Sequence, residues 1–321
     1  MLKRTKIWLI VALCLVFAGT GLFLIGMAKN GWSFRSLGTK NFVTNSYEIE
    51  EEFDGVFLDA NTADVNFKYS TDGKCRVVCF ENVKEKYCAT VENGVLNIKA
   101  VNEKKWYDYI TLFSSEPKIT VYLPTAEGMN LNIKVSTGDV RIDQDFTFDN
   151  IDISGSTGDV ECNASSVKQT KIHLSTGDIR VDGVSAGSSD LSVTTGKIAL
   201  RNIQCAGEVK VKVKTGDSDF TNVDCASFVS TGTTGDIELN SVIVSGTILI
   251  TRSTGDVEFE RCDAGELNIK VSTGDVDGTL LSSKVFIVKT DTGEIEVPRT
   301  TTGGICEITT TTGDIEIRVL D

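Results

Sequence analysis

Residues 174–182 read LSTGDIRVD, two short apolar alternations around a Thr-Gly-Asp turn, and this pattern decides the fold of the chain. A Thr-Gly pair recurs ten times along the sequence at a nearly constant spacing. The glycines are Gly138, Gly158, Gly177, Gly196, Gly216, Gly235, Gly255, Gly274, Gly293 and Gly313. So constant a period is typical of a solenoid, in which each repeat is one rung that buries its apolar side chains against the neighbouring rungs.

Apolar residues occupy the same positions in nearly every repeat. Around Gly177 they are Ile172, five residues before the glycine, and Ile179 and Val181, two and four residues after it. Equivalent strands must therefore stack in register as parallel sheets. We predict an all-β fold, a parallel β-helix expected to be right-handed, with about ten rungs and a length of roughly 48 Å.

The turn itself has a physical explanation. Glycine reaches the positive φ that a sharp corner requires, and the carboxylate of a following Asp can accept hydrogen bonds from nearby backbone N–H groups. Two other all-β folds fit less well. A sandwich does not need so constant a period, and a propeller blade needs about 40 to 50 residues.

The region before the regular array carries a degenerate copy of the pattern. Val56 to Phe67 repeats the same phases, with Ala63 in place of the glycine. Ala63 lies close to four periods before Gly138, so we expect the intervening chain to continue or cap the coil with irregular insertions. Strands are expected at residues 95–98 and 119–123. A cap is expected because an open solenoid end exposes strand edges.

The uncharged stretch Ile7 to Met27 predicts a transmembrane helix, because a helix of that length spans roughly 31 Å, about the thickness of the bilayer core. Leu13 stands where a lipoprotein signal before Cys14 would need a small residue. Basic residues before the span favour a cytoplasmic N-terminus. The predicted organisation is a cytoplasmic N-terminus (1–6), a transmembrane anchor (7–27), a linker (28–45), an irregular β cap with the first rungs (46–130) and regular repeats (131–321). This makes the protein a single-pass cell-membrane protein with most of the chain extracytoplasmic.

Composition argues against several functions. The formal net charge is -13, so nucleic acid is not an expected partner. The chain has one histidine, His173, in a column that otherwise holds lysine, serine and threonine and therefore faces solvent. No histidine-containing catalytic triad and no multi-histidine metal site can be assembled, and we predict a protein that is not an enzyme.

Nine cysteines raise the question of disulfides. Cys162, Cys205, Cys225, Cys262 and Cys306 occupy inward or nearly inward columns and are interpreted as small buried apolar residues. Cys205 and Cys225 share a phase one rung apart. A turn near Val83 would place Cys79 opposite Cys88, and this pair is the candidate disulfide.

The most distinctive functional signal is acidic. In the last six repeats the residue after the glycine and the residue two positions further on are both acids: Asp217 and Asp219, Asp236 and Glu238, Asp256 and Glu258, Asp275 and Asp277, Glu294 and Glu296, Asp314 and Glu316. Stacked rungs would turn them into two outward carboxylate columns that could bind calcium. A solvated acidic face that keeps the rod soluble is the favoured interpretation, because the pattern lacks the mixed ligands of a calcium loop. No other cofactor is predicted.

An aromatic cluster, Trp106, Tyr107 and Tyr109, lies in the irregular N-terminal region. It is a candidate platform for a sugar or another ligand. A cap that covers the end of the core would need the same residues, and that interpretation is favoured.

Several segments together resemble a known family. They are the apolar N-terminal stretch, the Asp-Val-Asn-Phe at 64–67, Gly94 to Ile98, Ile119 to Pro124 and the repeated Thr-Gly-Asp corners. Over residues 45 to 321 the chain resembles the putative-adhesin, β-strand-repeat family of bacterial envelope proteins, a domain of unknown function. Lys197 and Glu294 depart from the corner aspartate.

The resemblance carries no catalytic residues over. It implies an envelope protein, which in some relatives is encoded alongside membrane-stress systems. Our first hypothesis is a non-enzymatic adhesin or envelope-stress scaffold that acts through surface contacts, with cell-wall components or envelope proteins as partners. The alternative is a carbohydrate-active or carbohydrate-binding parallel β-helix protein. It is disfavoured because the columns stay nearly uniform along the chain, with no cluster of acids, bases and aromatics in a groove.

Overall fold

Val, Ile and other apolar residues alternate with polar ones along most of the chain, and this alternation produces strands that bury one face. The computed structural model describes residues 3–29, 42–83, 85–102 and 117–320. Its strands form a β-solenoid of parallel rungs, which confirms the predicted fold. All ten glycine corners are present, and they delimit about nine turns.

The chain contains one helix and 23 strands in the described residues. In chain order they are α1 (Lys3–Lys29), β1 (Phe42–Ile49), β2 (Gly55–Thr62), β3 (Asp64–Tyr69), β4 (Cys75–Asn82), β5 (Glu85–Glu92), β6 (Val95–Asn102), β7 (Lys118–Leu123), β8 (Asn130–Thr137), β9 (Val140–Ile142), β10 (Thr147–Thr157), β11 (Val160–Cys162), β12 (Ser165–Thr176), β13 (Ile179–Asp182), β14 (Ser185–Thr195), β15 (Ile198–Thr215), β16 (Ser218–Thr234), β17 (Ile237–Thr254), β18 (Val257–Thr273), β19 (Val276–Leu280), β20 (Val285–Thr292), β21 (Ile295–Glu296), β22 (Ile305–Thr312) and β23 (Ile315–Val319).

The helix α1 contains the predicted apolar span. Its window Trp8–Ile25, 18 residues long, has a mean hydropathy of 2.5, so the helix is long and apolar enough to cross a membrane. An N-terminal signal sequence has the same two properties. The helix therefore supports a membrane-associated segment.

Each rung in the middle of the solenoid has three sides, as the rung around Gly216 illustrates. Residues 209–215 precede the corner, residues 218–221 follow it, and residues 223–225 form the third side. Asn222 adopts a left-handed φ of 57°, which turns the chain and shifts the alternation by one residue. The buried positions of the third side are consequently seven and nine residues after the glycine, a phase that the two predicted columns do not contain.

The region between Ala63 and Gly138 was expected either to continue the coil in line or to cap it, and the strand pairing distinguishes these two arrangements. The Ala63 rung, β2 and β3, stacks directly on the Gly138 rung, β8 and β9, although nearly four periods of sequence separate the two corners. The strands predicted at 95–98 and 119–123 exist as β6 and β7, and they lie on the outer side of β2 and β3. Antiparallel strands β1, β4 and β5 extend this outer layer. The insertion therefore forms the predicted cap outside the first rung, and it adds no rungs between Ala63 and Gly138.

The C-terminal end shows the same permutation. β22 and β23, which carry the Gly313 corner, pair with β18 and β19 of the Gly274 rung. β20 and β21, which carry the earlier Gly293 corner, pair with the outer edge of β22 and β23. The order in space is therefore Gly274, Gly313, Gly293, and the last rung of the described chain is paired on both sides.

This arrangement places the first and the last corner of the sequence inside the stack, and at the C-terminal end the free edge in the described residues belongs to β20 and β21. A terminal strand with a free edge frays easily, because half of its backbone groups lack partners within the sheet. Here the Ala63 and Gly313 rungs each lie between two others, so neither can peel away without breaking two ladders.

Candidate functional site

The corner glycines leave no room for a side chain. Their φ values lie between 123° and 148°, a region that L-residues rarely adopt. A Cβ atom built on any of the ten would lie 2.0–2.2 Å from a backbone carbonyl oxygen of the preceding corner in space. Both the backbone conformation and the stacking distance therefore require glycine.

The corner aspartates form a hydrogen-bonded ladder. In each bonded pair, Oδ1 of one corner aspartate accepts a hydrogen bond from the backbone N–H of the residue after the glycine in the next rung. Four of these bonds measure 2.8–2.9 Å: Asp159 N–H to Asp139, Asp178 N–H to Asp159, Asp256 N–H to Asp236 and Asp275 N–H to Asp256. Asp314 N–H donates to Asp275 over 2.7 Å, across the permuted rung order. The first predicted acidic column is therefore a structural element of the corner as well as a charged surface.

The ladder explains both departures from aspartate. Glu294 lies at the outermost corner in space, where its N–H donates to Asp314 Oδ1 and no described rung follows that would need its carboxylate. Lys197 is different, because a rung does follow it. Its own N–H donates to Asp178 Oδ1, but its side chain has no acceptor to offer the N–H of Asp217.

A Lys197→Asn variant is expected to be more stable than the unchanged protein. Asparagine supplies a neutral carbonyl oxygen where the ladder is interrupted, so the N–H of Asp217 gains an acceptor worth about 0.5–1.5 kcal/mol. The loss of the exposed Lys197 to Asp219 ion pair costs less, about 0–1 kcal/mol. Chemical denaturation measures the difference. Lys197→Ala removes the same ion pair without adding an acceptor, and equal stability of the two variants would contradict the ladder.

The charges of the second acidic column are compensated unevenly. Asp219 pairs with Lys197 and Glu316 with Arg318, whereas the described charges that act on Asp277 are all acidic. Burial, and then the charges of Asp275 and Glu316 together with those of Asp256 and Glu258, raise the pKa of Asp277. Within the described residues, no group of three or more His, Cys, Asp or Glu side chains is arranged to hold a metal ion. Calcium binding by the twelve acids stays a prediction, which a comparison of melting midpoints with and without millimolar calcium tests.

Asp277→Asn is expected to stabilise the protein at neutral pH by less than about 1 kcal/mol, the range of exposed charge interactions. Because the folded-state pKa is raised, folding favours the protonated form, and stability falls as pH rises through the raised pKa. The advantage of the variant should therefore disappear when pH is lowered below the ordinary pKa of 3.8. Melting midpoints across this pH range measure it. Asp219→Asn, at the same position of the rung but beside Lys197, serves as the control and should not stabilise; a gain of equal size there would contradict the prediction.

A groove runs along the third side of the solenoid. It encloses about 870 Å³ and crosses the rungs from Thr147 to Ser245. A second hollow of about 600 Å³ adjoins it and shares four of its lining residues, Ser185, Gln204, Asp224 and Ile243. Serine, alanine and glycine make up much of the lining, so the groove is shallow, continuous and weakly charged.

A buried cation, which the repeat pattern did not predict, lies on the inner face. Arg252 is 2% exposed; its Nη1 donates to the carbonyl oxygen of Val213 and its Nη2 to Ser218 Oγ, both over 2.9 Å. Gly232 makes the space, since a Cβ there would lie 1.5 Å from Nη1. Burial lowers the pKa of Arg252, and the charges of Asp217 and Asp236 oppose that shift.

A signal for this cluster was present in the repeat columns. Ser218 and Ser230 are fully buried serines at positions that carry Val or Ile in most other rungs. Gly232 and Arg252 break a third column, three residues before the corner glycine, in the adjoining rungs. Ser218, Gly232 and Arg252 together make one polar cluster in the core, because Gly232 makes room for the guanidinium and Ser218 Oγ accepts a hydrogen bond from it, whereas Ser230 Oγ has no hydrogen-bond partner among the described residues.

The candidate disulfide residues lie apart from each other in the strand pairing. The turn near Val83 exists, but β4 and β5 pair only at Asn82 and Glu85 before they diverge to different partners. Cys79 is buried against β7 and Cys88 is exposed on β5, and both are free thiols. The expected hairpin therefore ends before it reaches the two cysteines, and Cys79 and Cys88 are not paired residues.

The remaining candidate residues contribute little to a site. His173 is half-exposed, as expected, with Nε2 3.9 Å from Asp190 Oδ1. The five cysteines of the inward columns are buried free thiols, as predicted. Trp106, Tyr107 and Tyr109 lie outside the described residues.

The chain is similar to several solved structures and matches one family model. No curated protein matches the sequence. The chain is similar to crystal structures of two proteins named as putative adhesins. The one from Bacteroides fragilis has 16% identity and a TM-score of 0.41, and the one from Parabacteroides distasonis has 12% identity and a TM-score of 0.49. Both alignments cover 87% of this chain and 98% of the other.

A third similar structure, from Parabacteroides distasonis, is named as a putative lipid binding protein. It is 14% identical, with a TM-score of 0.35, and the alignment covers 88% of this chain and 98% of that one. The family match itself is to the Toastrack family DUF4097, over residues 53–220 and 205–321. These two ranges include every repeat of the solenoid, and the chain therefore belongs to the Toastrack DUF4097 family.

Proposed function

We propose that this protein is a non-enzymatic, membrane-tethered solenoid of the cell envelope that acts by binding other envelope components along its surface. The groove on the third side carries this proposal, because it offers a continuous contact surface over several rungs. The apolar helix α1 supports attachment to a membrane. Adhesion, the role in the names of the two similar crystal structures, is one form that such binding can take.

The orientation across the membrane is tested first. An impermeant amine-reactive label added to intact cells is expected to modify exposed lysines of the solenoid, such as Lys134 and Lys270. Labelling that appears only after lysis would place the solenoid in the cytoplasm and contradict the proposal.

Binding through the groove is tested with side chains that fill it. Gln204→Trp and Ser185→Trp place an indole among the small lining residues, and both are expected to reduce co-sedimentation of the full-length protein with isolated envelopes. Lys212→Trp puts the same side chain on the exposed face before the corner and is expected to leave binding unchanged. Equal binding by all variants and the unchanged protein would exclude the groove as the contact surface.

A carbohydrate-binding role is the second candidate. The groove favours it because hydroxyl and amide side chains, including those of Ser165, Ser185 and Gln204, recur along its length and can hydrogen-bond an extended uncharged glycan. Protease treatment of the envelopes separates the two candidates. Binding that survives the treatment supports a glycan, and binding that is lost supports a protein partner.

A further inference from the structure

Cys205 and Cys225 lie side by side on neighbouring strands. They are paired residues in the parallel ladder of β15 and β16, so their side chains point the same way. The other described inward cysteines have no such neighbour. Cys162 pairs with Ile142 and Val181, Cys262 with Leu280, and Cys306 with Leu267 and Phe286.

The backbone geometry is compatible with a bond between the two sulfur atoms. Neighbouring parallel strands lie about 4.8 Å apart, inside the 4.4–6.8 Å range of Cα separations in disulfides. The ladder also shifts register directly after Cys205, between Cys205 and Glu208. This irregularity leaves the adjoining backbone less constrained than a continuous ladder would, so a small approach of the two Cβ atoms meets little resistance there.

Among the five cysteines of the inward columns, Cys205 and Cys225 lie nearest to solvent. Cys205 and Cys225 line the groove and are 6% and 7% exposed, whereas Cys162 and Cys306 are 0% exposed. The lining residues near them are small, among them Gly187, Ala206 and Ala226.

We propose that Cys205 and Cys225 form a reversible disulfide that joins two rungs of the solenoid, by exchange with a small disulfide donor. The Cys205 thiolate attacks the donor disulfide, forms a mixed disulfide and releases one donor thiolate. The Cys225 thiolate then attacks Cys205 Sγ and releases the second donor thiolate. Each protein thiol loses one proton, the two sulfurs are oxidised by two electrons, and the donor is reduced to two thiols.

The surroundings favour Cys205 as the first nucleophile. Burial raises the pKa of both thiols, that of Cys225 to about 12. Hydrogen bonds act in the opposite direction on both pKa values, from Gly207 and Ser189 for Cys205 and from the Val209 and Ser227 backbone for Cys225. The pKa of Cys225 is also raised by the neighbouring charges of Cys205 and Asp224. Because the thiolate is the reactive form, exchange should be slow at neutral pH and faster as pH rises.

The test uses the full chain, folded, treated with excess oxidised glutathione at mildly alkaline pH and mapped under non-reducing conditions. We expect a peptide that links Cys205 to Cys225, with neither residue recovered as a free thiol, and glutathione adducts on the exposed Cys14 and Cys88 are counted separately. Cys205→Ala and Cys225→Ala are each expected to abolish the link, and Cys162→Ala to preserve it. Alanine should be tolerated, since Ala186 and Ala264 occupy the same position in other rungs.

A second readout separates the link from nonspecific oxidation. The oxidised protein should melt at a higher temperature than the reduced protein, and this difference should be absent in both single variants and kept in Cys162→Ala. Three results would overturn the proposal: a stable glutathione adduct on Cys205 without a link, a link that forms only in denaturant, or a Cys79 to Cys88 link in its place.

Discussion

A Gly235→Ala variant is expected to lose at least about 4 kcal/mol of unfolding free energy, a size that a surface change does not reach. The added Cβ would lie 2.1 Å from the carbonyl oxygen of Gly216, and the φ of 123° disfavours any L-residue. The neighbouring backbone cannot retreat without breaking the bonds from Gly216 N–H to Thr234 and from Gly235 N–H to Thr254, 2.9 and 3.0 Å long. Chemical denaturation followed by far-ultraviolet circular dichroism measures the loss.

Gly73→Ala is the matched control. Gly73 also has a positive φ, 73°, but nothing lies within 4 Å of the place that its Cβ would take. The Gly73→Ala variant should lose only about 1–2 kcal/mol of unfolding free energy, the cost of the left-handed conformation alone. If both variants lose the same amount, stacking of the corners contributes nothing to the requirement for glycine.

An Arg252→Ala variant is expected to lose about 3–5 kcal/mol of unfolding free energy. The substitution removes a long side chain from the core and leaves a cavity between three rungs. It also deprives the Val213 carbonyl and Ser218 hydroxyl of their donors, and a buried polar group without a partner costs free energy. Denaturation midpoints report this loss.

Two further variants identify its cause. Arg252→Met refills much of the volume with apolar atoms and should recover about half of the loss, because a well-packed apolar side chain can replace a buried charge. Lys270→Ala removes an exposed cation from the next rung and should change stability by less than about 0.5 kcal/mol. Equal stability of the Ala and Met variants would show that packing around Arg252 is unimportant.

The repeat columns predicted the fold because nearly every rung has the same corner conformation and buries the same strand positions. The Thr-Gly-Asp corners and the strands β6 and β7 appear as expected. The positions two and four residues after the glycine face inward in most rungs, but Ile295 in the outermost rung is exposed. The exceptions could not be interpreted from the columns alone. Glu294 looks like a lapse in the aspartate column, and only its outermost place in space explains why aspartate is not required there.

The candidate surfaces were harder to predict than the fold. The acids of the last six repeats were visible in the sequence. The sequence did not show that the first column accepts backbone hydrogen bonds, because this depends on which rung donates an N–H to which carboxylate. The groove was missed altogether. Its side of the rung follows a left-handed residue such as Asn222, which shifts the alternation and hides the inward positions from a fixed two-residue pattern.

By itself the sequence determined the period, the in-register stacking and the glycine at each corner, because these follow from local backbone geometry and from burying one face of each strand. Only the tertiary structure decided the order of the rungs at the two ends and the polar cluster around Arg252. Every rung presents nearly the same apolar pattern, so many stacking orders satisfy the columns equally well. The choice among them rests on contacts between residues such as Asp275 and Asp314, which lie 39 positions apart in the chain.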